Sequence, residues 1–173
     1  MIQLNDEEYH IYSLIIISRR SFTWLIGDVV KRIMIKENTD SGQRNDNDKL
    51  DSSFIEIMPE LQQETIDDFN KANQESYLLE KRFNLPVDYT LISKEEFHSI
   101  FPNPSGWFTF YKKYPGTGGI ITLSRVGFNT DKNQALVYIG IQAAPETGAG
   151  TYILLIKENN TWKIKSNGGG YIS

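Results

Sequence analysis

The sequence predicts an α+β fold: a curved antiparallel sheet of about five to seven strands with helices packed on one face. Two observations carry this expectation. From Trp107 onward the chain reads as successive strands, Trp107–Tyr111, Ile120–Phe128, Ala135–Gln142, Thr151–Lys157 and Trp162–Lys165, separated by Gly-rich or Asn-rich turns. Before Trp107, helical apolar spacing and helix-start signals dominate, with one or two further period-two segments. Strands joined by hairpins pair antiparallel, which sets the expected sheet direction.

The elements follow in order. Asn5 precedes Asp6-Glu7-Glu8, which gives a capping box with Glu8 three positions on and acids in the first turn, where the helix dipole favours them. Tyr9, Tyr12, Leu14, Ile15 and Ile16 continue an apolar stripe, so a helix is expected from Asp6 to about Ser18. Ser21–Gly27 reads equally as a buried turn or a short strand. Val29, Ile33 and Ile35 then share one face of a strand. Asn38–Asp51 is almost free of apolar residues and reads as a mobile polar loop within a single domain spanning 1–173. Asp46 and Asp48 resemble calcium-loop positions, but the sixth and twelfth places hold Asp51 and Ile57 instead of Gly and Glu, so calcium is not expected.

Pro59 suits the first turn of a helix whose apolar face is Leu61, Thr65, Ile66 and Phe69, with Glu60, Glu64, Asp67 and Asp68 turned toward solvent. Val87–Ile92 alternates as a half-buried strand. Ser93-Lys94-Glu95-Glu96 opens a short helix that turns Phe97, Ile100 and Phe101 inward, and Pro102 and Pro104 stop it. Within the sheet, Ala135, Val137, Ile139 and Ile141 share an apolar face. Thr151–Ile156 is apolar on both faces, as a central strand would be. Trp107 and Trp162 are both expected in the core, with Ile164 inward beside Trp162. Ala143–Gly150 reads as a wide mobile hairpin. Gly168-Gly169-Gly170 has no Lys-Ser/Thr after it, so it reads as a flexible kink in the tail and not a phosphate loop.

Composition narrows the function classes. The 173 residues are 39% hydrophobic and 23% charged, which is globular. A net charge of −4, with basic residues only in pairs, excludes nucleic acid or an anionic membrane as the main partner. There is no Cys, so disulfides and thiolate metal sites are excluded, and a cytoplasmic setting is expected. Leu14–Ile17 is too short and wrongly flanked for a signal peptide, and no stretch has the length of a membrane span.

Gly106-Trp107, Phe110-Tyr111, Tyr114-Pro115, the run Leu123-Ser124-Arg125-Val126-Gly127-Phe128-Asn129, Gln134-Ala135-Leu136-Val137-Tyr138 and the segment from Trp162 to Ser173 resemble a group of bacterial hypothetical proteins. The resemblance runs from about Leu61 to the end. Sequences of that group often close on Trp-Ile-Ser, where this chain has Tyr171-Ile172-Ser173. The resemblance implies no catalytic residue. Helices followed by a curved antiparallel sheet are also similar to NTF2-like and cystatin-like folds, an analogy of architecture that does not fix function.

Arg125 is the leading site residue. Set among apolar neighbours, it requires either an internal carboxylate or exposure on an open sheet face. Its functional reading is an anion-binding Arg in a pocket with Tyr138 and Tyr152. His98, beside Phe97, is the candidate general base, and His10 is a weaker one. The expected role is a non-enzymatic binding or interaction module, of inhibitor, immunity or accessory type, with a protein partner or a small anionic ligand and no cofactor. The alternative is a small NTF2-like pocket enzyme, a hydrolase or isomerase, using Arg125 with His98 or a carboxylate.

Overall fold

A computed structural model describes residues 4–18, 30–41, 49–103 and 105–172. The region Ser21–Gly27, the strand position of Val29 and the acids Asp46 and Asp48 lie outside the described residues. The elements run α1 (Asp6–Ser18), β1 (Arg32–Lys36), α2 (Phe54–Ile57), α3 (Gln63–Ala72), β2 (Asp88–Ile92), α4 (Lys94–Ile100), α5 (Gly106–Lys113), β3 (Thr117–Leu123), β4 (Gly127–Phe128), β5 (Gln134–Ala144), β6 (Thr147–Glu158) and β7 (Thr161–Ile172). The strands form one sheet in the order β2-β1-β3-β5-β6-β7, with β4 added against β5.

The α+β class and the antiparallel carboxy-terminal ribbon are as the sequence predicts. β5, β6 and β7 pair antiparallel, and so do β3 and β5. The other end of the sheet is parallel: β1 runs alongside both β2 and β3 in the same direction. Parallel neighbours need long crossovers. Here α2 and α3 supply the first, between β1 and β2, and α4 and α5 supply the second, between β2 and β3.

The helices lie on both faces of the sheet. On one face Ile33, Ile35, Ile121, Leu123, Val137, Ile139, Ile153 and Leu155 pack under α1, with Leu79 and Phe83 completing that core. The opposite face is covered in two separate patches. Over the parallel end, Met34, Ile92 and Ile120 meet Ile100 of α4 and Phe110 of α5. Over the antiparallel end, Leu136 and Leu154 meet Phe54 and Met58 of the α2 region and Ile66 and Phe69 of α3.

α1 begins as its sequence requires. The Glu8 N–H donates to Asn5 Oδ1 at 2.9 Å, and the Asn5 N–H donates to Glu8 Oε2 at 3.1 Å. In α4, Ser93 Oγ accepts the Glu96 N–H at 3.1 Å, while the Glu96 carboxylate turns to Lys113 and the Tyr114 hydroxyl. α3 starts at Gln63 and not at Pro59, which sits in the turn after α2. Its apolar face is buried as expected. Its acids hold backbone: Asp68 accepts the Phe128 N–H at 2.7 Å, and Glu64 accepts the Thr130 N–H at 3.1 Å.

Several expectations are corrected. Trp107–Tyr111 is part of helix α5 and not a strand. Trp107, Phe110, Tyr111 and Tyr114 fall at i, i+3, i+4 and i+7, and together they form the face that packs with α4. The Ala143–Gly150 stretch is a tight hairpin turning at Pro145-Glu146, with both strands paired up to the turn. Gly168–Gly170 lies within β7. Gly168 and Gly169 are where α2 approaches: a Cβ at Gly169 would stand 2.2 Å from the Phe54 ring, and its φ of +62° also calls for glycine. Trp162 is buried, but Ile164, on the edge strand β7, is exposed. The start of the polar loop is anchored. Asn38 bridges Leu78, and the Asp40 N–H donates to the Leu123 carbonyl at 2.8 Å.

Candidate functional site

Two places gather unusual side chains, one around Arg125 and one on the sheet face between the helix patches. Arg125 lies between β3 and β4. Its peptide is clamped by Asn73 at the end of α3: the Arg125 N–H donates to Asn73 Oδ1 at 2.7 Å, and Asn73 Nδ2 donates to the Arg125 carbonyl at 3.1 Å. The guanidinium turns toward α1. Nε donates to Glu8 Oε1 at 2.8 Å, and Nη2 to Glu8 Oε2 at 3.2 Å. The Tyr77 ring lies against its flat face at 4.5 Å. Burial alone would lower the Arg125 pKa, but the hydrogen bond and charge of Glu8 outweigh it and hold the value above the ordinary one. Planar, bidentate pairing of this kind is what allows an Arg to be buried at all.

Tyr138 and Tyr152 are elsewhere. They face each other across the β5–β6 pair with ring centroids 5.2 Å apart, on the side opposite α1. Tyr152 packs edge-on to Phe54 at 4.9 Å and to Phe69 at 5.8 Å. His98 is exposed on α4, and its ring lies edge-on to Phe97 with centroids 6.1 Å apart. His10 is exposed on α1. The structure therefore brings Tyr138 and Tyr152 together, and it places Arg125 and His98 on separate elements away from them.

The second place is a cleft. Because α4–α5 and α2–α3 cover opposite ends of one sheet face, no described helix covers the middle of that face. The open strip consists of Thr122 on β3 and Tyr138, Gly140 and Gln142 on β5. Strand alternation puts all four on the same side. Phe97 of α4 and Trp107 of α5 form one wall, Tyr171 of β7 lies opposite, and Lys36 and Asp40 stand at the end of β1. The cleft has a volume of about 140 Å³. A shallower groove of about 380 Å³ adjoins it past Phe101, Asn103 and Pro145, and the two share Phe97, Trp107 and Gln142.

Glycines shape the floor. A Cβ at Gly140 would stand 2.9 Å from the Tyr138 hydroxyl, and one at Gly150, its cross-strand partner, would stand 2.1 Å from it. The Tyr138 ring thus lies along the sheet over two positions without side chains. Lys36 Nζ sits 4.4 Å from the centre of the Phe97 ring, a cation–π contact internal to the wall. Among the described residues, no group of three or more His, Asp or Glu side chains is arranged to hold a metal ion. Of the sequence-derived site residues, only Tyr138 lines this cleft. The others, Thr122, Gln142, Phe97, Trp107 and Tyr171, come from five elements, and no local spacing in the sequence marks them as a set.

The chain is thus an α+β protein with a mixed open sheet and a polar–aromatic cleft in the gap between two helix pairs. No family model, curated protein or solved structure matches it. Among the described residues, no helix is long and apolar enough to cross a membrane.

Proposed function

We propose that this protein is a non-enzymatic binding module that takes a small ligand, or a side chain of a protein partner, in the sheet-face cleft. One observation carries the reading: aromatic rings and hydrogen-bonding side chains converge on a strip of this sheet face that, among the described residues, no helix covers. The Arg125 guanidinium supports it from the other direction. Its charge is met by Glu8 inside the protein, so the role of Arg125 in this reading is to fix α1 to the β3–β4 turn. The alternative, an enzyme built on Arg125 and His98, would require those two groups to act across separate elements.

The test is an amide-resolved NMR titration of the ¹⁵N-labelled full chain with a library of neutral, cationic and anionic fragments. Fragments should move the amides of Thr122, Gly140 and Gln142. Hits confined to Arg125 and its neighbours, selective for anions, would instead favour the enzyme reading.

A further inference from the structure

We propose that the groove past Trp107 binds a proline-rich segment of a protein partner, held as a polyproline II helix. The inference goes beyond the cleft reading and does not depend on the cleft taking a ligand. Phe97, Phe101 and Trp107 line the groove as a row of rings, with centroids 4.8 Å apart from Phe97 to Phe101 and again from Phe101 to Trp107. The Trp107 ring is braced by Phe110 at 5.5 Å and Tyr111 at 5.9 Å, so the row is set before anything binds. Asn103 and Pro145, the latter at the tip of the β5–β6 hairpin, complete the lining. Gln142 Nε2 donates to the Ala144 and Pro145 carbonyls, each at 3.3 Å, which braces that tip.

Three features select this partner over others. The first is hydrogen bonding. Among the described residues the Trp107 indole N–H has no acceptor, and no buried side-chain donor goes unpaired, so the indole N–H of this half-buried residue is open to solvent. Asn103 Oδ1 accepts the Ser105 N–H at 3.0 Å, which leaves its amide nitrogen to donate. A polyproline II backbone makes no internal hydrogen bonds, and its carbonyls stand free to accept. An α-helix has engaged its carbonyls internally and offers such donors nothing along its length. An extended strand adds to a sheet edge, whereas β5, which carries Gln142, is paired on both sides. The second feature is the aromatic surface. Proline-rich segments dock on rows of aromatic rings, and their fixed φ keeps the ordering cost low. Charge is the third. Glu146 follows Pro145 at the hairpin tip and is exposed, and the chain is acidic overall, so a Lys or Arg flanking the proline run is favoured at that end.

A polyproline II helix repeats every three residues, over about 9 Å. One edge of the helix therefore presents a ring to the groove at each turn, and contact with the row grows with the length of the proline run.

The experiment titrates the ¹⁵N-labelled full chain with the peptide Arg-Pro-Pro-Pro-Pro-Pro, with its counterpart carrying Glu for Arg, and with a control carrying Ala for every Pro. Backbone amides and the Trp107 indole N–H, assigned in the wild-type chain, are followed together. The Arg peptide should move the Trp107 indole signal and the Asn103 amide saturably, with smaller effects at Thr122 and Gly140. It should bind about twofold or more tighter than the Glu peptide, the scale of one exposed ion pair. Glu146→Gln, at an exposed turn position, should remove that difference. Trp107→Phe keeps a ring but removes the indole N–H, and should weaken binding at least about fivefold, the loss of roughly one hydrogen bond. The Ala peptide should leave both signals in place. Equal shifts with the Ala peptide, or a Trp107 indole N–H that none of the three peptides moves, would overturn the proposal. In that event fragment shifts at Thr122 and Gly140 would still leave the cleft reading standing. Binding unchanged within twofold in Trp107→Phe would place the peptide elsewhere and also overturn the assignment.

Discussion

The Glu8 carboxylate does two things at once: it closes the first turn of α1 on the Asn5 N–H, and it holds the Arg125 guanidinium with both oxygens. Glu8 is fully buried and Arg125 nearly so, with side-chain exposures of 1% and 13%. One carboxylate therefore ties the beginning of the chain to the β3–β4 turn. Through the Asn73 clamp on the Arg125 peptide, the same turn is tied to α3.

Removing one partner of such a pair leaves the other buried and uncompensated. Glu8→Ala should cost about 3–5 kcal/mol in urea unfolding, with loss of the cap included. Glu8→Gln with Arg125→Met should cost clearly less than the sum of the single changes, because both charges leave together. A Glu8→Ala protein as stable as wild type would mean that Arg125 is not bound to this partner, and would reopen its role in anion binding.

The two tryptophans should behave differently. Trp162 is 4% exposed, packs on Phe128 with centroids 6.0 Å apart, and donates its indole N–H to Glu7 at 3.1 Å. Trp162→Ala should destabilise by about 3–5 kcal/mol. Trp107 is half-buried on the outside of the sheet, so Trp107→Ala should cost about half as much. Thermal melts of both variants decide this. Equal losses would mean that Trp107 is a core residue after all.

How far the fold can be read in advance depends on the range of the interaction. The cap at Asn5 and Glu8 and the start of α4 at Ser93 are three-residue signals, and both are legible. So is the turn at Asn159-Asn160, where both residues take positive φ, +48° and +61°, as a two-residue hairpin demands. The α5 segment reads as a strand because Trp107, Thr109 and Tyr111 alternate with Phe108 and Phe110, and aromatic residues favour strands. The spacing of Trp107, Phe110, Tyr111 and Tyr114 holds the helical signal, and Phe108, left exposed at 79%, breaks the strand reading. The parallel pairing of β1 depends on β2 and β3 arriving from far along the chain, and nothing local encodes it. Glu8 and Arg125 are 117 residues apart, so the sequence shows that Arg125 needs a partner but does not show which. The cleft is harder still, because it exists only where two helix pairs fail to meet.

Acid should weaken the protein through Glu7 and Glu96. Burial would raise the Glu7 carboxyl, but the hydrogen bonds from Lys157 and Trp162 and the Lys157 charge outweigh it, leaving the value below the ordinary 4.5. Hydrogen bonds from Lys113 and then from the Tyr114 hydroxyl lower Glu96 in the same way. Lowered folded-state values mean that the unfolded chain binds protons first. The stabilisation is present above 4.5 and is lost as the pH falls from there through the folded-state values. Melting temperature should therefore hold steady down to about pH 5 and then drop. In the double variant Glu7→Gln and Glu96→Gln, the neutral-pH stability should be lower and the acid slope shallower. An unchanged slope would assign acid sensitivity to other groups.

Two glycines offer opposite outcomes from the same substitution. At Gly127 a Cβ would stand 2.4 Å from both Cα and N of Phe69, which are backbone atoms of α3. Neither β4 nor the helix can move without breaking the Asp68 bond to the Phe128 N–H, so Gly127→Ala should cost about 1–3 kcal/mol or more. At Gly150 the new methyl would meet the Tyr138 hydroxyl and the ring of Tyr171, both far ends of side chains that can swing aside. Gly150→Ala should keep its melting temperature within the range of a surface change, about 0.5 kcal/mol, while the ring of Tyr138 leaves the cleft floor. The Gly140 and Gln142 amides should then shift, and any ligand of the cleft should be lost with them. Were Gly150→Ala to unfold the protein as readily as Gly127→Ala, the floor would belong to the core and not to an open binding surface.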